Sequence, residues 1–122
     1  MENIKVAIIG LGYVGLPLAH LFATRYPVVG FDIKQDRVEA LKKGQDITME
    51  VSDGKLKSVL LSHLPEFDET GLYFTSAPSD LQSCNYFIVA VPTPVDSHHS
   101  PDLTPLYKAS ETVGRALSKG DI

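Results

Sequence analysis

Short apolar runs alternate with amphipathic stretches along this chain. Ile4 to Ile9 is apolar apart from Lys5 and rich in β-branched residues, the pattern of a strand buried on both faces of a parallel sheet. The stretch that follows spaces Val14, Leu18, Leu21 and Phe22 at helical intervals, which predicts a first helix buried along that face. Pro27 marks the turn into a second strand, Val28 to Phe31. A second helix is predicted from about Gln35 to Lys43, with Asp36 and Glu39 early, Lys42 and Lys43 late, and Gly44 as its stop. Gln45 to Val51 is a less regular connection. Ser52 is placed to cap a third helix carrying Leu56, Val59, Leu60 and Leu64 on one face, and Pro65 ends it. Leu72 to Thr75 reads as a short strand and Tyr86 to Val91 as a fully buried one. Val91-Pro92-Thr93-Pro94 then breaks the sheet, and Val95 to Pro101 is loop. Thr104 and Pro105 form a cap and first-position pair for a last helix, with Leu106, Ala109, Val113 and Ala116 as its apolar face and Gly120 as its stop.

The order β-α-β-α-α-β-β-α predicts an α/β fold: a single-domain, Rossmann-like, doubly wound parallel sheet with helices on both faces. Asp121-Ile122 reads as the start of a further strand, so the chain is expected to be a piece of a longer protein, truncated at its C-terminal side.

Between the first strand and first helix stands Gly10-Leu11-Gly12-Tyr13-Val14-Gly15, and Asp32 closes the second strand about 20 residues beyond Gly12. A glycine motif alone says little. A strand before it, a helix after it and an acid at that distance make it a dinucleotide-binding fingerprint. Gly10 permits the turn, Gly12 lets backbone approach a diphosphate, and Gly15 lets the helix pack closely. First-turn N–H groups then point at an anion, and Pro17 suits that turn because its missing N–H costs nothing there. Asp32 is expected to accept hydrogen bonds from ribose hydroxyls, or more simply to act as a helix cap.

Composition narrows the picture further. Hydrophobic residues at 43% and charged residues at 21% are globular values, so a buried core is expected. A net charge of −4 argues against a nucleic-acid or anionic-membrane partner. The longest uninterrupted apolar run, Phe87 to Val91, is too short to span a bilayer, and no secretory signal is visible. A single cysteine, Cys84, forms no internal disulfide, and no Cys/His metal spacing is present. A cytoplasmic protein is expected.

The motifs Gly10-Leu11-Gly12-Tyr13-Val14-Gly15-Leu16-Pro17, Gly30-Phe31-Asp32, Arg37, Val91-Pro92-Thr93-Pro94 and Pro101-Asp102-Leu103-Thr104 together resemble the N-terminal NAD-binding domain of the UDP-glucose/GDP-mannose dehydrogenases. Within that family the sequence is most similar to the bacterial UDP-N-acetylhexosamine dehydrogenases of surface-polysaccharide synthesis, including the Vi-antigen type. The resemblance covers nearly the whole chain. It implies that residues 1–122 are part of an NAD-binding domain, with the central helical and C-terminal UDP-sugar-binding domains absent. It implies a longer enzyme that oxidises the C6 alcohol of a UDP-sugar to the carboxylate in two NAD-dependent steps. A cysteine beyond residue 122 would carry thiohemiacetal and thioester intermediates, so no catalytic residue is expected in this chain. Carried onto this sequence, the resemblance implies cofactor contacts from Gly10, Leu11, Gly12, Tyr13, Val14 and Gly15, from Asp32 and Arg37, and from Val91, Pro92 and Thr93. The longer enzyme is expected to be a homodimer or higher assembly, and this piece a monomer.

Other candidates read less sharply. Cys84 is the tempting nucleophile, yet it precedes the Tyr86 to Val91 strand, at the sheet edge opposite the cofactor loops. It lies up to ~30 Å of extended chain from Thr93. A small buried hydrophobe is the plainer reading. His98 and His99 are adjacent but lack partners to complete a metal sphere, and a solvated loop is expected. His20 and His63 fall on predicted helices without a catalytic partner. Two other functions share the early glycines and acid: a β-hydroxyacid or 6-phosphogluconate-type dehydrogenase, against which Val91-Pro92-Thr93-Pro94 speaks, and a stand-alone NAD-sensing module.

Overall fold

The computed structural model describes residues 4–12, 14–46, 51–91, 103–117 and 121–122. Four strands, β1 (Val6–Ile9), β2 (Pro27–Phe31), β3 (Gly71–Thr75) and β4 (Tyr86–Val89), form one parallel sheet in the order β3-β2-β1-β4. The register pairs Ile9 with both Phe31 and Val89. Among the described residues four helices flank it, α1 (Gly15–Ala23), α2 (Gln35–Lys42), α3 (Asp53–Val59) and α4 (Thr104–Ala116), with a 3-10 turn at Pro78–Leu81. This is the expected doubly wound architecture.

Alternation along the strands divides the core in two. Val6, Ile8, Val28, Leu72 and Phe74 face α1, α2 and α3, meeting Leu16, Ala19, Val38, Leu41 and Leu56. Ala7, Ile9, Val29 and Phe31 face the other way, onto Leu81, Cys84, Ala109 and Ala116. Strands buried on both faces need continuous apolar runs, and that is why the periodicity of the sequence located them.

Local details depart from expectation in several places, beginning with β1, which starts at Val6 rather than Ile4, and β2, which takes in Pro27. The buried face of α1 is Gly15, Leu16, Ala19 and Ala23, whereas Val14 and Leu21 are exposed and Leu18 and Phe22 half-buried. Small residues allow the helix axis to approach the sheet, so the larger side chains are left at the flanks. Helix α3 ends at Val59, not at Pro65, because Leu60 turns extended and pairs with Leu72, and the Leu61 N–H donates to the Leu72 carbonyl at 2.8 Å. Strand β4 stops at Val89 and is half-buried rather than fully buried. Its outer edge meets Ile122, whose N–H donates to Asn85 O (2.8 Å) and whose carbonyl accepts from Phe87 N–H (2.6 Å), although Asp121 and Ile122 form no strand. Thr104 is the first residue of α4 rather than its cap, a position held by Leu103 without a side-chain hydrogen bond. Leu106 is exposed, and α4 ends at Ala116; Gly120 lies outside the described residues. The Ser52 cap holds as expected, its hydroxyl accepting from Lys55 N–H at 3.3 Å, and Gly44 stops α2 with φ of 79°.

Candidate cofactor-binding site

The strand order reverses direction between β1 and β4, and a crevice opens at the carboxyl ends of the strands there, where open α/β sheets take their ligands. A cleft of about 440 Å³ occupies it. Its walls are Gly10, Leu11 and Gly12 from the glycine loop, Asp32 to Lys34 and Arg37 beyond β2, Val91 beyond β4, and Pro105, Lys108, Ala109 and Thr112 from α4.

The three glycines differ in what they allow. Gly10 has φ of +102°, and a Cβ there would stand 2.8 Å from the Ala90 carbonyl oxygen, so the turn requires glycine. A Cβ on Gly15 would lie 1.7 Å from the Gly10 carbonyl oxygen: the start of α1 rests on the loop itself. Gly12 is exposed, and a Cβ there would meet nothing within 4 Å. That open space over bare backbone is the approach a diphosphate needs. Val14, the N-cap of α1, supplies no side-chain hydrogen bond to the first turn, whose N–H groups lie behind the loop.

Leu11 is held at both ends of its peptide unit. Its N–H donates to Asp32 Oδ2 at 3.1 Å, and its carbonyl accepts from Arg37 Nε (3.1 Å) and Nη2 (2.7 Å). The other Asp32 oxygen accepts from Lys34 N–H at 3.0 Å. This second bond fixes the turn ahead of α2 and is not a helix cap, since the N-cap of α2 is Lys34 and receives no side-chain cap bond; Asp32 also forms part of the cleft wall. Two accepted bonds leave a carboxylate with lone pairs for ribose hydroxyls. Among the described lining residues the charged groups are Asp32, Lys34, Arg37 and Lys108; Asp46 balances Arg37, so the excess that suits a diphosphate comes from Lys34 and Lys108 against Asp32.

The sequence-derived residues Gly10, Leu11, Gly12, Asp32, Arg37 and Val91 therefore line one cleft, with Gly15 packed directly beneath the loop. Val14 follows the loop with its side chain exposed. Tyr13, Pro92 and Thr93 lie outside the described residues, as do His98 and His99. Sequence reasoning missed the α4 wall, although Pro105, Lys108 or Ala109, and Thr112 recur at helical spacing; Ala109 was read as core alone. It also missed Asp46, whose carboxylate holds Arg37 at 2.9 Å.

Cys84 is buried at the amino end of β4, away from the cleft, and desolvation pushes its thiol pKa up to about 12. A thiol held neutral is a poor nucleophile. His63 pairs with Glu69 at 2.8 Å on the surface and His20 sits in the last turn of α1, neither of them in the cleft. Among the described residues no group of three or more His, Cys, Asp or Glu side chains is arranged to hold a metal ion. No described helix is long and apolar enough to cross a membrane.

A parallel sheet with a glycine-lined cleft at its switch point and an acid at the end of β2 defines a dinucleotide-binding domain. Residues 4–122 match the NAD binding domain of the UDP-glucose/GDP-mannose dehydrogenase family, and the chain belongs to that family as its NAD-binding domain. It is 52% identical over 122 residues to a UDP-N-acetyl-D-glucosamine 6-dehydrogenase of Pseudomonas aeruginosa, covering 100% of this chain and 26% of that relative. A relative of the same name from Salmonella typhi is 45% identical over the same coverage. Among solved structures, the UDP-D-ManNAc dehydrogenase of Pyrococcus horikoshii superposes with a TM-score of 0.82 at 35% identity, over 98% of this chain and 27% of that one. The chain thus spans about a quarter of the length of the curated relatives it matches.

Proposed function

We propose that this chain forms the cofactor site of a UDP-N-acetylhexosamine 6-dehydrogenase serving surface-polysaccharide synthesis in the cytoplasm. The overall change converts a C6 alcohol to a carboxylate, consuming one water and delivering two hydrides to two NAD molecules. Bound NAD supplies the hydride acceptor. This chain's residues bind and orient it. Gly10, Leu11, Gly12, Tyr13, Val14 and Gly15 cradle the diphosphate, Asp32 takes the adenosine ribose, and Arg37, Val91, Pro92 and Thr93 border the site. The longer enzyme works as a homodimer or higher assembly, and this portion alone is monomeric.

The observation that carries the cofactor assignment is the unobstructed backbone at Gly12 beside an Asp32 carboxylate already fixed to Leu11. The substrate class rests on the 52% identity to the Pseudomonas aeruginosa relative. The match over residues 4–122 favours this family over a β-hydroxyacid-type dehydrogenase.

Calorimetric titration of the 122-residue chain with NAD, paired with NADH absorbance in the presence of UDP-hexoses and UDP-N-acetylhexosamines, tests the proposal. Binding without turnover is expected, because hydride transfer needs C6 held against the nicotinamide, and residues 4–122 match the NAD binding domain of the family. Absence of NAD binding refutes the cofactor site. Turnover lost in Cys84→Ser would place the chemistry in this chain after all. Extending the chain through its downstream coding sequence and repeating the panel tests the substrate class; an extended protein that binds NAD but oxidises no UDP-sugar would support the sensing module instead.

A further inference from the structure

The Arg37 side chain is only 12% exposed, and its guanidinium is committed to the protein on two sides. Nε and Nη2 both donate to the Leu11 carbonyl, while Nη1 donates to Asp46 Oδ1 at 2.9 Å. Asp46 is itself fully buried at its side chain, and its second oxygen accepts from Val51 N–H at 3.0 Å. A continuous line of charge-assisted hydrogen bonds therefore runs from the backbone beyond α2, through Asp46 and Arg37, to the carbonyl of the glycine loop. An arginine fork has several ways to meet a single carbonyl oxygen. A fixed carboxylate on its far side selects one of them.

We infer that Asp46 is a positioning residue for the cofactor, orienting Arg37 so that the Leu11 peptide, and with it the Gly10-Leu11-Gly12 backbone, is set for the diphosphate. The inference rests on the proposal that NAD occupies this cleft. Asp46 is not among the described lining residues, and its printed contact toward the cleft is Arg37. Because the loop addresses the diphosphate, while Asp32, which takes the ribose, keeps its own anchor at Lys34 N–H, the consequence is selective. Ligands carrying a diphosphate lose affinity when Asp46 changes, and adenosine does not.

The test compares wild type with Asp46→Asn, using NAD and ADP-ribose by calorimetry and adenosine by NMR titration. Wild-type binding of NAD is established first, and its absence would sink the cofactor site itself rather than the role of Asp46. With wild type binding, Asp46→Asn is expected to weaken NAD and ADP-ribose about tenfold, the scale of one charge-assisted hydrogen bond, with adenosine unchanged. In an Arg37→Lys background, which removes the fork, Asp46→Asn is expected to add less than about twofold, since coupled residues are non-additive. Unchanged NAD affinity, an equal loss for adenosine, or full additivity with Arg37→Lys would each overturn the inference. Removing one partner of a buried ion pair is costly, so Asp46→Asn can fail to fold. Asp46→Glu, which keeps the charge but displaces the oxygens, then carries the same comparison. A loss confined to the diphosphate ligands supports the role, and unchanged NAD binding ends it.

Discussion

Gly15→Ala is the substitution for which the structure gives the clearest magnitude. At an ordinary helical position alanine is favoured over glycine by about 1 kcal/mol. Here the new methyl carbon would sit 1.7 Å from the Gly10 carbonyl oxygen and 2.8 Å from its carbon, against an ordinary contact that begins near 3.4 Å. The start of α1 and the loop would have to part by more than the ~1.5 Å rise of a helical residue. Neither can move freely, since Gly10 N–H is bonded to Phe31 O at 2.8 Å and Leu11 is clamped by Asp32 and Arg37. Overpacking of this kind costs about 1–3 kcal/mol and occasionally more. The upper end outweighs the propensity gain, leaving a net loss of about 2 kcal/mol. For a domain of this size that lowers the melting temperature by roughly 6–10 °C. Gly12 is the internal control, because a side chain there meets only open space. Gly12→Val is expected to melt within about 2 °C of wild type, as surface changes usually do, and to bind NAD at least tenfold more weakly. Thermal unfolding followed by circular dichroism, with NAD titration of both variants, decides the matter. A Gly15→Ala protein as stable as wild type would show that α1 does not rest on the loop.

Two further outcomes are expected. NAD is preferred to NADP by at least ~10-fold, because a 2′-phosphate would face the Asp32 carboxylate, and like charges about 4 Å apart repel by ~4 kcal/mol at an effective dielectric near 20 before solvent relief. Equal calorimetric affinities would remove Asp32 from the ribose site. Cys84 is expected to resist thiol reagents in the folded protein near pH 8 and to react once unfolded. Its folded pKa of about 12 lies above the ordinary 9.0, so the stability tied to the neutral thiol is complete below pH 9 and lost as pH rises toward 12. Cys84→Ala flattens that alkaline limb of the stability curve; an unchanged limb, or rapid native labelling, contradicts the burial argument.

The sheet and its order of elements were legible because β1, β2 and most of β3 are buried on two faces and β4, though only half-buried, still reads as an apolar run. Helix faces were less so. For α1 a search for large apolar residues at helical spacing chose Val14 and Leu21, but close packing on the sheet selects Gly15, Ala19 and Ala23, whose small side chains carry little periodic signal. Leu60 looked helical because the pattern continues through it, and only a partner distant in sequence, Leu72, turns it to strand pairing. The same limit hid part of the site. Glycines and Asp32 occupy fixed offsets set by local geometry, whereas Lys108, Thr112 and Asp46 reach the cleft or its supports through tertiary packing alone.

Leu11 serves two masters at once. Its backbone shapes the cleft, while its side chain, 1% exposed, belongs to the same apolar cluster as Ile8, Leu16 and Phe74. Most ligand loops open and close on their own, at a free-energy cost far below that of unfolding the domain. A loop whose central residue is also a core residue has no such private motion, because lifting it would strip the sheet of packing. Its competent shape is populated whenever the domain is folded, so a cofactor bears little ordering cost on arrival. The converse also holds through linkage: ligand that grips this loop stabilises the whole domain, and a flaw deep beneath the sheet reaches the ligand without touching it.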